Sequence, residues 1–142
     1  AEGPNAIVHD GTIYLIYSGS LVGIDYTTGL VTAPAGQDAD LTDPNVWTKL
    51  DYPLQKSGVY NGQWQLGTGH GMWSNDEDGN LIYVFHNAEY ENGRYGGRDA
   101  QVRRVHWSKE GMPILDMQTA EELDPDYARV TMEVGREGDW AR

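Results

Sequence analysis

Asp10-Gly11-Thr12-Ile13-Tyr14 recurs in type as Asp78-Gly79-Asn80-Leu81-Ile82, and each copy opens a run that ends near an aromatic residue, Tyr17 or Phe85. An Asp-Gly pair between two β-rich runs supplies positive φ at little cost, which marks a tight hairpin. A second match supports the first: Trp47-Thr48-Lys49 followed by Pro53 recurs as Trp107-Ser108-Lys109 followed by Pro113, with the same internal spacing. The runs 12–17, 30–32, 81–85 and 102–107 are β-branched or aromatic and bounded by Gly, Asp, Asn or Pro, so they predict strands. Only 117–123 reads as helix, and it is short. Two similar four-stranded units in series are what adjacent propeller blades look like, with a plain β-sandwich as the alternative architecture.

A repeat unit buries its faces against its neighbours, so two units leave an open edge and an open face. The chain is therefore expected not to close a ring by itself. The units divide at 1–60 and 61–115, and a polar tail over 116–142, strand-like at 128–134, either closes the ring or leads out of it.

Composition narrows the function class. The 142 residues, 39% of them hydrophobic, suffice for one ordinary domain. There are no cysteines, which excludes a disulfide framework, a thiolate metal site and a cysteine nucleophile. No long apolar run predicts a membrane helix, and the first residues lack the basic-then-apolar pattern of a leader. The formal net charge of −12 repels phosphate backbones and anionic membranes, so neither nucleic acid nor a membrane is an expected partner. Nine Tyr and five Trp stand against one Phe, a bias toward rings with a polar handle that suits half-buried positions or sugar faces.

Two short stretches could carry chemistry. Glu2-Gly3-Pro4 places a carboxylate before a glycine that permits close approach and a proline that fixes the backbone. Gly67-Thr68-Gly69-His70-Gly71 surrounds one imidazole with three glycines, and His70 stands in the second repeat where Glu2 stands in the first. Paired inner strands would bring both to one channel. Trp64 and Trp73 flank the histidine stretch; Trp64 could stack on a sugar ring, whereas Trp73 reads as core. Residues 74–79 resemble the start of a calcium loop, but its last ligand would fall on Phe85, so they read as a hairpin turn.

In this order, Glu2-Gly3-Pro4, Asp10-Gly11, Tyr14 to Ser18, Tyr26 with Gly29-Leu30, Trp47-Thr48-Lys49, Val59-Tyr60, Gly69-His70 and Arg98 before Trp107 resemble glycoside hydrolase family 43. Within that family the likeness is to exo-α-L-arabinofuranosidases and β-xylosidases, and it spans about residues 1–115. The resemblance implies an all-β, five-bladed β-propeller of which this chain supplies about the last two blades. It implies inverting hydrolysis of arabinofuranosyl or xylosyl linkages in plant polysaccharides, with Glu2 as general acid. The general base and an aspartate that tunes the acid would come from earlier blades, on this or a separate chain. His70 would help hold a central calcium ion or water cluster, with Thr68 where relatives have proline, and no organic cofactor is expected. Arg98 would reach the sugar or the carboxylates, Arg103 being the other arginine near that place in the family's order. His86 reads as structural. An arabinose- or xylose-containing oligosaccharide is the implied partner and the extracellular space the implied location. The competing function is a non-catalytic carbohydrate-binding or scaffold propeller.

Overall fold

The computed structural model describes residues 1–122. Residues 128–134 and the end of the 117–123 run lie outside them. The described chain is almost entirely β, in two four-stranded antiparallel sheets laid face to face. The first contains β1 (Glu2–His9), β2 (Thr12–Gly19), β3 (Thr27–Pro34) and β4 (Thr48–Lys49) in that order. The second contains β5 (Gly58–Tyr60), β6 (Gln63–Asn75), β7 (Leu81–Glu91) and β8 (Arg94–Arg104). A small ribbon of β9 (His106–Trp107) and β10 (Pro113–Ile114) follows.

Both predicted Asp-Gly hairpins are present: Asp10 and Gly11 take φ of 45° and 73° between β1 and β2, and Gly79 takes 82° between β6 and β7. Residues 74–79 enter that second turn, where an Asp76 oxygen accepts from the backbone N–H groups of Asp78 and Asn80. The 102–107 run is not one strand. Val105 turns its N–H to the carbonyl of Leu81, which ends β8 and starts the separate ribbon. Within 117–123, Thr119–Glu121 forms a single 3-10 turn, closed by the Glu121 carboxylate accepting from the Gln118 N–H.

Alternation along each strand sends one set of side chains between the sheets. Tyr14, Ile16 and Leu30 meet Trp73, Tyr83 and Phe85 there, with Val105 and Leu115 completing the buried cluster. Burying each such side chain contributes about 1.5–3 kcal/mol. The sheets are also keyed by polar contacts. The Tyr83 hydroxyl lies 2.7 Å from Thr28 Oγ1 and donates to Gln55 Oε1 at 3.1 Å, and burial pushes its pKa up to about 12. Asn5 Oδ1 accepts from the Trp73 N–H across the same gap, at 2.8 Å. Within the second sheet, Gly71 on β6 leaves room for the Tyr83 ring of β7, which a β-carbon there would overlap.

The opposite faces are apolar too. Val8 and Ile13, Leu15 and Val31, and Ile13 and Ala33 are cross-strand partners on the outer face of the first sheet. Met72, Val84 and Val102 form a row across the outer face of the second, with Met72 and Val102 more than half exposed.

Candidate functional site

Glu2 reaches the seam between the sheets through a local irregularity. β1 and β2 pair regularly from Asn5 onward, but between Glu2 and Asn5 the register shifts, with Gly3 at φ 59°. Glu2 then faces Ser18 on the side that looks toward the second sheet. On β6 the ladder is interrupted on both sides of Gly69, and His70 adopts φ 51°. A non-glycine residue held there is uncommon and points its side chain away from the regular pleat. The His70 N–H is anchored by Ser18 Oγ at 2.7 Å, and its ring packs against Gly3, where a β-carbon would lie 3.3 Å from it.

Tyr26 joins the two. It follows a tight turn closed by its own N–H on the carbonyl of Gly23, and its ring lies against Gly69, where a β-carbon would be 2.6 Å away. Only 1% of Tyr26 is exposed. Its hydroxyl donates to Glu2 Oε1 at 2.5 Å and lies 3.2 Å from His70 Nδ1, which is itself 3.9 Å from the same carboxylate oxygen. With its proton given to Glu2, the Tyr26 oxygen is left as an acceptor beside His70 Nδ1. Sequence reasoning gave Tyr26 no role beyond its place in a motif. The signal was the glycine at 69, a slot cut for a ring from the other sheet.

The electrostatics run against a protonated carboxyl. The Tyr26 hydrogen bond lowers the Glu2 pKa most, partly opposed by desolvation, and His70, the Ala1 amine and Arg98 lower it further. A general acid needs the opposite shift, and among the described residues the groups around Glu2 are donors and cations.

Arg98 and Arg103 are separated by the fold. Arg98 is exposed on β8, its Nε donating to the Tyr95 hydroxyl, and its charge is felt at Glu2, Tyr26 and His86. Arg103 is buried between the Tyr60 and Phe85 rings, 4.1 and 4.9 Å from their centres, and donates to the Leu115 carbonyl and Gln65. It ties the segment at Leu115 to Gln65 of β6. His86 lies under Tyr26, and burial lowers its pKa most, followed by Arg98 and His70. Trp73 is core, its indole N–H on the Tyr14 carbonyl. Trp64 stands apart from this group. It is 70% exposed at the start of β6 opposite Val59, with no hydrogen bond or ring contact to Glu2, Tyr26 or His70.

Calcium takes six to eight oxygen ligands. Among the described residues no group of three or more acidic, His or Cys side chains could hold a metal, and His70 offers one nitrogen. These residues do not compose a calcium site by themselves; an ion there would draw its oxygens from water or from other segments. No helix among the described residues is long and apolar enough to cross a membrane.

Comparison with known proteins bears directly on this geometry. The family profile described as Glycosyl hydrolases family 43 matches residues 1–113. The chain is 32% identical over 132 residues to an extracellular exo-α-(1→5)-L-arabinofuranosidase of Streptomyces avermitilis, covering 87% of this chain and 26% of that protein. It is 34% identical over 135 residues to α-L-arabinofuranosidase 43 of Humicola insolens, covering 91% and 27% respectively. The crystal structure of an α-L-arabinofuranosidase from Lactobacillus brevis superposes with a TM-score of 0.69 at 31% identity, over 79% of this chain and 35% of that one. The chain thus spans about a quarter of the length of these curated relatives.

Proposed function

Because the chain belongs to glycosyl hydrolases family 43, we propose that it supplies the proton-donating side of a glycosidase site that cleaves arabinofuranosyl or xylosyl linkages with inversion. The observation that carries this is Glu2, a half-exposed carboxylate at the meeting of the two sheets, with one oxygen fixed by Tyr26. In the reaction Glu2 gives its proton to the glycosidic oxygen as the bond to the anomeric carbon breaks. Water attacks the other face of the sugar and loses its proton to a second carboxylate, roughly 6.5–9.5 Å from the first in inverting enzymes.

That second carboxylate is supplied by other segments of the protein. Two features support a site completed from outside. The groups near Glu2 depress its pKa, so neighbouring carboxylates are needed to keep it protonated at working pH. Both outer sheet faces are apolar, as expected of two neighbouring blades of a five-bladed ring. Arg98 reaches the sugar or the carboxylates as a fork of donors, Trp64 lines a more remote part of the binding surface, and His70 braces the acid from below. A calcium ion or water cluster beside His70 belongs to the completed ring. The location is extracellular, in keeping with the name of the Streptomyces relative.

Glu2→Gln in the completed enzyme tests the acid. Hydrolysis of arabinofuranosides with poor leaving groups falls about 10²–10⁴-fold, and much less with good leaving groups, which need little protonation. Equal losses on both, or no loss on either, would remove Glu2 from the role, and a completed wild-type protein that hydrolyses neither substrate would favour a non-catalytic scaffold.

A further inference from the structure

We propose that Tyr26 is the positioning residue of Glu2, holding Oε1 so that the other carboxylate oxygen alone carries and delivers the proton. The role rests on Glu2 acting as the acid. Four observations carry it. The Tyr26 hydroxyl is committed to Glu2 at 2.5 Å, a length typical of a donor to an ionised oxygen. The phenol is 1% exposed, so water does not compete for that bond. Its ring is fixed from both sides, by Gly69 and by the His86 imidazole 5.5 Å away. The carboxylate, by contrast, is half exposed, so its second oxygen is open to a ligand.

The consequence for catalysis follows from which form of Glu2 the hydrogen bond prefers. A donor on Oε1 strengthens as the carboxyl gives up its proton, so Tyr26 favours the charge that develops on Glu2 as the glycosidic oxygen is protonated. The same preference works against the resting acid. Tyr26 therefore makes Glu2 a stronger acid and narrows the pH range in which it stays protonated. The other charged or titratable groups facing Glu2 are His70 on β6, Arg98 on β8 and the Ala1 amine, with His86 on β7 beyond Tyr26. All of them remain when the Tyr26 hydroxyl is removed, and only His70 loses a hydrogen-bond partner with it.

The test is Tyr26→Phe in the completed enzyme, which keeps the ring between Gly69 and His86. The basic limb of kcat/KM, where Glu2 loses its proton, moves to higher pH. Turnover on poor leaving groups falls about tenfold at the optimum, short of the roughly 10²–10⁴-fold loss on removing the acid itself. Fluorotyrosine at position 26, a stronger donor of native shape, moves the same limb to lower pH and serves equally if the phenylalanine protein does not fold. A limb that stays in place in both proteins overturns the assignment, because lost packing changes amplitude and stability but not the ionisation of Glu2. If the limb is fixed while Glu2→Gln shows its leaving-group signature, Glu2 remains the acid and only the role of Tyr26 falls.

Discussion

Tyr26 and His86 lie ring over ring, with centres 5.5 Å apart and planes 18° from parallel. The imidazole sits where a proton is unwelcome. Its Nε2 is buried without a hydrogen-bond partner among the described residues, and burial, Arg98 and His70 all lower its pKa.

This depressed value couples histidine titration to stability. The unfolded chain takes up a proton at the ordinary histidine value, and the folded chain only at a lower pH. Stability is therefore complete above about pH 6.5 and declines as pH falls from there toward the lower folded value of His86. His86→Gln should flatten that part of the curve. Melting temperatures of the two proteins across this range decide it, and identical slopes would show that His86 does not titrate differently on folding.

His70 combines strain with exposure, since its φ is 51° while its side chain is half open to solvent. His70→Ala should cost turnover at least tenfold while changing the melting temperature little. His70→Gly should be more stable than His70→Ala by about 1 kcal/mol, because both lose the ring and only glycine takes this φ freely. Kinetics and melts on the same preparations separate the two effects. A large drop in melting temperature with normal turnover per folded molecule would make the imidazole a packing group.

Residues 1–142 alone should release no sugar from arabinofuranosides or xylosides, since inversion needs a second carboxylate opposite Glu2 and the proposed site draws it from other segments. They should also self-associate through the Val8–Ile13 and Met72–Val84–Val102 faces. Light scattering beside a sugar-release assay measures both, and adding the polypeptide that completes the ring should restore turnover. A monodisperse, active monomer would overturn the shared-site reading.

Much of this was legible in the sequence. Asp10-Gly11 and Asp78-Gly79 are local signals, decided by φ alone, and they put the turns and hence the repeat in place. The match of Glu2 with His70 was legible because equivalent strands of a repeat start from the same end. Asn61-Gly62 and Asn92-Gly93 carry the same left-handed pair as Asp10-Gly11 and went unread, so β5 and the full length of β7 and β8 were missed. Strand β5, before the boundary at 60, pairs with the second sheet. Tyr26 was illegible for a different reason. Its importance comes from a contact between sheets, which depends on the two interruptions in β6 and on no pattern near Tyr26 itself. Arg98 and Arg103 looked alike as strand arginines, and only the rings of Tyr60 and Phe85 distinguish the buried one.

The glycine slots have a consequence for inheritance. Tyr83 occupies the space a side chain at Gly71 would need, and Tyr17 does the same at its cross-strand partner Gly29. An alanine at 71 must expel the Tyr83 ring, which would also release Thr28 and Gln55. A smaller residue at 83 leaves a hole that an alanine at 71 partly fills. Each tyrosine and its glycine therefore behave as one unit of variation, closed to single replacement and open to paired replacement. Drift along this seam proceeds two positions at a time.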